Sequence, residues 1–142
     1  MAGDFTHAET VNVYDMNDIE YLFTPDAPKP GGHYSQAVRH NGCIYVAGQL
    51  PIDPISGKPV AGEIEAQAEL VLRNLQAILR GAGSDLSRLL KVTVYISNIE
   101  LWARFNAVYV RMMGDAKPAR AVVPVNDLHY GCLVEIEAIA AA

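Results

Sequence analysis

The chain has 142 residues, of which 51% are hydrophobic and only 19% charged, so it is the length of one domain and too poor in charge to be a disordered chain. Its formal net charge of −5, from 16 acidic against 11 basic residues, disfavours a nucleic-acid partner, which calls for a clustered basic face. No apolar run approaches the roughly 18 residues of a membrane span, and residues 1–23 hold no lysine or arginine to begin a signal peptide. A cytoplasmic protein with no membrane partner is expected. Two cysteines, Cys43 and Cys132, stand in no metal-ligand or disulfide spacing and are expected to be buried thiols.

In chain order, residues 1–18 are polar and acidic without a sustained period and read as a variable N-terminal arm; residues 19–142 read as one domain. Ile19 to Phe23 is a candidate short strand, and Pro25 to Gly32, with three prolines and two glycines, is a loop. Asn41-Gly42 between the strand-like runs Gln36 to His40 and Cys43 to Ala47 predicts a hairpin, because both turn positions then accept positive φ. A second loop, Asp53 to Gly62, precedes a helix whose apolar positions Ala68, Val71, Leu72, Leu75, Ile78, Leu79 and Ala82 recur every three or four residues. Leu89 to Ile96 reads as a strand. Leu101, Phe105, Val108, Tyr109 and Met112 trace a second amphipathic helix, capped by Ser97-Asn98 and ending at Gly114. Ala119 to Val125 and Cys132 to Ala140 are two further strands, the last with Glu135 and Glu137 on one face and Val134, Ile136 and Ala138 on the other. The order β-β-β-α-β-α-β-β predicts an α+β layer, a mixed sheet with two helices on one face. The bare face then needs a partner, and a second copy of the chain is the simplest one.

The chain lacks GxGxxG, GxxxxGK[ST], HExxH and GxSxG, and its histidines His7, His33, His40 and His129 are scattered, so neither a cofactor nor a metal is expected. What stands out is polar chemistry in apolar surroundings. Arg120 opens the run Ala121-Val122-Val123 and so stands at the entrance of a strand expected to be otherwise buried; it reads either as a rim ion pair or as a bidentate carboxylate clamp, for which the planar guanidinium is suited. Glu135 belongs either to a wet strand face or to a cleft where a shifted carboxylate activates water. Tyr34, after Gly31-Gly32-His33, is a core residue or an aimed phenol. Gly48 permits close approach of a backbone N–H to a ligand. Asn106, mid-helix, is expected to bond a nearby backbone group or to serve the site.

Four segments, Gly32-His33-Tyr34-Ser35-Gln36-Ala37-Val38, Val46-Ala47-Gly48-Gln49-Leu50-Pro51-Ile52-Asp53-Pro54, Lys117-Pro118-Ala119-Arg120 and Val134-Glu135-Ile136-Glu137-Ala138-Ile139-Ala140, resemble in order and spacing the Rid family of reactive intermediate deaminases. The resemblance covers about residues 28–141 and implies a chorismate-mutase-like α+β fold, a homotrimer with a central barrel, and three ligand clefts at subunit interfaces. It further implies cofactor-independent hydrolysis of enamine and imine acids, such as 2-aminoacrylate and 2-iminopropionate, to 2-oxo acid and ammonia. On this resemblance Arg120 pairs with the substrate carboxylate, Glu135 holds or activates the water, Tyr34 lines the cleft, and Gly48, Val122 and Asn106 complete substrate binding. Two positions depart from the RidA branch. Ala47 stands where serine is usual and Val122 where cysteine is, so a hydroxyl and a thiol are lost, although the backbone N–H groups of Gly48 and Val122 remain. His33 replaces a frequent proline and adds a titratable imidazole to the expected pocket. Besides a general imine deaminase, the sequence leaves open a non-catalytic small-carboxylate sensor, a dedicated aminomuconate-type deaminase, and the endoribonuclease or translation-inhibitor role also attached to this family.

Overall fold

The computed structural model describes residues 18–142. The arm expected over residues 1–18 falls, apart from Asp18, outside the described residues. The rest folds as eight elements in the expected order: β1 (Glu20–Leu22), β2 (Ala37–His40), β3 (Cys43–Gln49), α1 (Ile64–Gly81), β4 (Leu89–Ile96), α2 (Trp102–Met113), β5 (Ala119–Pro124) and β6 (Val134–Ala141). Single 3-10 turns at Leu86–Arg88, Ile99–Leu101 and His129–Gly131 were not foreseen.

The strands form one sheet in the order β1-β2-β3-β6-β4-β5, with only β4 and β5 parallel. That pair is joined by α2, as a parallel pair needs a long crossover, whereas β2 and β3 turn directly through Asn41 (φ 48°) and Gly42 (φ 76°). Alternation along each strand sorts the two faces. Val92, Val94 and Ile96 of β4 stand opposite Ala138, Ile136 and Val134 of β6, all buried beneath the helices. Leu72, Leu75 and Leu79 of α1 and Phe105 of α2 complete that core. Thr93 and Tyr95, opposite Glu137 and Glu135, take the other face, where Tyr95 donates a 2.6 Å hydrogen bond to Glu137. Tyr21 and Tyr45 are exposed and stand with Val38 in one cross-strand row. The uncovered face is therefore mixed, with aromatic residues toward β1 and charged and polar residues toward β4.

Two expectations need correction. Cys132 is buried but Cys43 is only half-buried, because on β3 it alternates with the core residues Ile44 and Val46 and so shares the uncovered face with Tyr45. β5 does not lie in a buried setting: it is the sheet's edge, and only Val122 of its six residues is partly covered.

Candidate functional site

The site begins with an irregularity in β3. Val46 faces Ala138 of β6 and Gln49 faces Ile136, so three steps on β3 oppose two on β6. The surplus residue is a β-bulge at Ala47-Gly48, and it brings the Gly48 backbone against Glu135. A Cβ built on Gly48 would collide with the Glu135 carboxylate. Glycine is required here to leave room for that carboxylate, a closer relation between the two than their sequence positions disclose.

Glu135 lies in the floor of a cleft of about 770 Å³ lined also by Tyr34, Ala47, Gly48, His129 and Tyr130. Burial raises its carboxyl above the usual range; the nearby charge of His129 opposes this and Glu137 adds to it. Burial, with the neighbouring Glu135, also pushes the Cys132 thiol up. A carboxyl moved toward neutral pH is suited to taking and returning a proton.

The walls are loops, and buried amides tie each to the scaffold. Gln36, 1% exposed, accepts from Thr24 N–H at 2.7 Å and donates to the carbonyls of Thr24 and Pro28, each at 3.0 Å. Asn74 of α1 donates to the carbonyls of Leu50 (3.2 Å) and Ile52 (2.8 Å). Gln67 donates to Gly62 carbonyl at 3.0 Å and accepts from Leu133 N–H at 2.8 Å, just ahead of β6. The rim turn over Asp53–Gly57 is closed by Asp53, whose carboxylate accepts from Ile55 and Ser56 N–H and is held below its usual pKa by them. That turn carries Ile55, 95% exposed, over the cleft.

Tyr34 is not a core residue: it is 53% exposed, and its hydroxyl accepts from Gly31 N–H at 3.0 Å. His33 lines an adjoining groove with Tyr21, Val38 and Tyr45 rather than the Glu135 cleft.

Arg120 is elsewhere. It pairs in register with Val92, so its side chain leaves the sheet on the helix face, opposite to Glu135. There it donates from Nη1 to Asn106 Oδ1 at 2.8 Å, and its guanidinium lies over the rings of Trp102 (4.9 Å to the centroid) and Tyr109 (4.6 Å). Asn106 therefore bonds the arginine and not a nearby backbone group. Val122, two residues on, packs against the core on the same face. Within one chain the six sequence candidates thus form two groups: Glu135, Tyr34 and Gly48 in the cleft, and Arg120, Asn106 and Val122 at the β5 edge.

The sequence matches the family described as Endoribonuclease L-PSP over residues 24–142. The chain belongs to that family, which also carries the YjgF, Rid and RutC names. A RutC family protein of Pyrococcus horikoshii is 47% identical over 121 residues, 85% of this chain and 96% of that one. Among solved structures, a putative endoribonuclease from Thermotoga maritima superposes with a TM-score of 0.84 at 45% identity, covering 87% of this chain and 97% of its own. Escherichia coli TdcF with bound serine gives a TM-score of 0.82 at 32% identity, covering 87% and 98%. These family structures share the mixed α+β sheet with two helices found here.

His129 and Tyr130 escaped the sequence reading. Tyr130 adopts φ 61° and ψ 20°, followed by Gly131 at φ 70°. This left-handed step, uncommon for a non-glycine residue, turns the His-Tyr pair into the cleft, and only the glycine after it hinted at a turn. Trp102 and Tyr109 were also missed as site residues. Their spacing from Asn106, four residues before and three after, is a single helical stripe and was a usable signal.

Proposed function

We propose that the protein hydrolyses small enamine and imine acids to 2-oxo acid and ammonia, without a cofactor, in clefts between the subunits of a homotrimer. The observation that carries this reading is the split site: a proton-handling carboxylate and an unneutralised guanidinium stand on opposite faces of one sheet. No single chain can apply both to one small substrate, whereas adjacent copies can. The uncovered sheet face, with its exposed aromatic residues, supplies a contact surface for such copies.

In this mechanism Arg120 holds the substrate carboxylate, with the Gly48 and Val122 N–H groups beside it and Asn106 steadying the arginine. Fixing the carboxylate places the C=N carbon beside Glu135, an entropic gain. Tyr34 forms a wall of the cleft. An enamine first takes a proton on its terminal carbon to become the imine. Glu135 then accepts a proton from water as the new C–O bond forms and the nitrogen takes a proton. The tetrahedral adduct collapses as C–N breaks: ammonia leaves with the proton Glu135 returns, and the adduct's hydroxyl proton passes to solvent as C=O forms, replacing the proton the nitrogen had taken from solvent. An imine is already electrophilic, so orientation and proton transfer suffice.

The test is release of pyruvate from 2-iminopropionate generated by an amino-acid oxidase, with semicarbazide trapping of the imine as readout. Faster clearance lost in Arg120→Ala is expected; trapping unchanged by micromolar protein would reject this substrate class. Binding of a carboxylate by calorimetry without turnover, insensitive to Glu135→Gln, would replace the enzyme by a sensor on the same trimer. RNA cleavage, which the family description names, finds little electrostatic support at a net charge of −5.

A further inference from the structure

Arg120 differs from most other arginines of the described chain. Arg39 meets Glu20, Arg73 and Arg111 meet Glu69, Arg80 meets Asp85, and Arg104 meets Glu63 and Glu65. Arg120 meets no carboxylate among the described residues. Its contacts are with neutral groups, the faces of Trp102 and Tyr109 and the amide oxygen of Asn106. These three side chains stand at i, i+4 and i+7 of α2, so one helical stripe presents all of them to the guanidinium. The helix stripe is itself held: Tyr109 is buried and its ring packs on Phe105 of the core at 5.8 Å between centroids.

We propose that Trp102, Asn106 and Tyr109 form a cation box whose function is to preset Arg120 for a ligand carboxylate, with Trp102 as its specificity-bearing wall. The chemistry favours neutral walls over an ion pair. A carboxylate partner would hold the guanidinium as firmly but would cancel the charge that a ligand has to use. Aromatic faces attract the cation through their quadrupoles and leave its N–H edges free. Contact with the two rings and one amide bond fixes the side chain before binding, so less rotamer freedom is lost when the carboxylate arrives. The proposal rests on the reading of Arg120 as the carboxylate clamp.

Trp102 is the chain's only tryptophan, so the box reports on itself. The experiment uses the full chain, with pyruvate as probe and its uncharged amide as control. Intrinsic emission is compared in wild type and Arg120→Ala without ligand; pyruvate affinity is measured by calorimetry in wild type, Trp102→Phe and Trp102→Leu, with thermal unfolding of each. Removing the guanidinium from the ring face is expected to change the emission of Trp102. Pyruvate affinity is expected to fall at least tenfold in Trp102→Leu and to recover to within about threefold in Trp102→Phe, with the amide bound weakly throughout. Loss of the aromatic face, rather than of bulk, then accounts for the order. Identical emission in wild type and Arg120→Ala overturns the box whatever Arg120 binds. Pyruvate bound by folded Trp102→Leu as tightly as by wild type overturns its presetting role. Pyruvate bound normally by Arg120→Ala, with the emission nonetheless changed, overturns the clamp reading and with it the box's function, while leaving its geometry standing.

Discussion

The cleft around Glu135 and the edge around Arg120 are built from different materials. The cleft is walled by loops, and its order comes from buried amides, Gln36, Asn74 and Gln67, each satisfying backbone groups that a loop would otherwise leave unpaired. The Arg120 edge is built on a helix and a strand, and its order comes from ring faces and one side-chain bond. The difference suits the roles proposed for the two groups. A carboxylate that exchanges protons needs burial and little else to raise its pKa, whereas a cation that must stay charged needs contact without neutralisation.

The comparison breaks most sharply if the two halves act from one chain. Arg120→Ala and Glu135→Gln are each expected to lower clearance of 2-iminopropionate by about a hundredfold or more, the usual scale of a lost positioning or acid-base group. Mixing the two inactive variants after dissociation and reassembly should restore activity to roughly a quarter of wild type, since random assortment around a closed ring leaves about that fraction of clefts with both native groups. Assay of the mixture against each variant alone checks this, and a mixture as inactive as its components would place both groups in one chain's site.

Gly48→Ala tests the cleft alone. The new Cβ meets the far end of a flexible side chain, so Glu135 can swing aside at small cost to folding. Activity is expected to fall tenfold to a hundredfold with the melting temperature nearly unchanged; a wild-type rate would show that the carboxylate does not act from its present place.

Much of this was open to sequence reasoning. Period-3.6 patterns placed both helices and alternation placed β6, because one face of each is buried in a common core, while β1 and β5 were found as short apolar runs. Arg120 and Glu135 were singled out as polar groups in apolar runs. What could not be read was their separation. It depends on the register of β5 against β4 and of β6 against β4, and a shift of one residue would reverse either side chain. The exposure of β5 was misjudged for the same reason: three apolar residues in a row look buried, but strand order decides whether a neighbour covers them. The bulge at Ala47-Gly48 and the left-handed Tyr130 are local departures from pattern, and pattern is what the sequence displays.

Smaller effects are expected from the amides. Asn74→Ala leaves the carbonyls of Leu50 and Ile52 without their partner and should cost about 1–3 kcal/mol in urea unfolding. Trp102→Phe, by contrast, keeps a ring at the Arg120 edge and should cost less. If the two costs were equal, the contrast between amide-held loops and ring-held edge would lose its meaning.

The smallest effect is the pH dependence of stability due to Glu135. Its native pKa is raised by burial above the ordinary 4.5. Between the ordinary and the raised value the native state therefore binds more protons than the unfolded state, so stability falls as pH rises through that window. Above it the cost of a charged carboxyl in the cleft is fully present. Glu135→Gln removes that cost, so the variant should match wild type at about pH 4 and exceed it in melting temperature at about pH 8, although its turnover is lost. His129 opposes the shift electrostatically, so adding His129→Ala to wild type should widen the gap to Glu135→Gln at neutral pH. A gap of constant size from acid to alkaline pH would mean that the Glu135 pKa is the same in the folded and unfolded states, and a gap that shrank as pH rose would mean that hydrogen bonds or charge outweigh burial in the cleft; either outcome would remove the contrast with the isolated cation at the β5 edge.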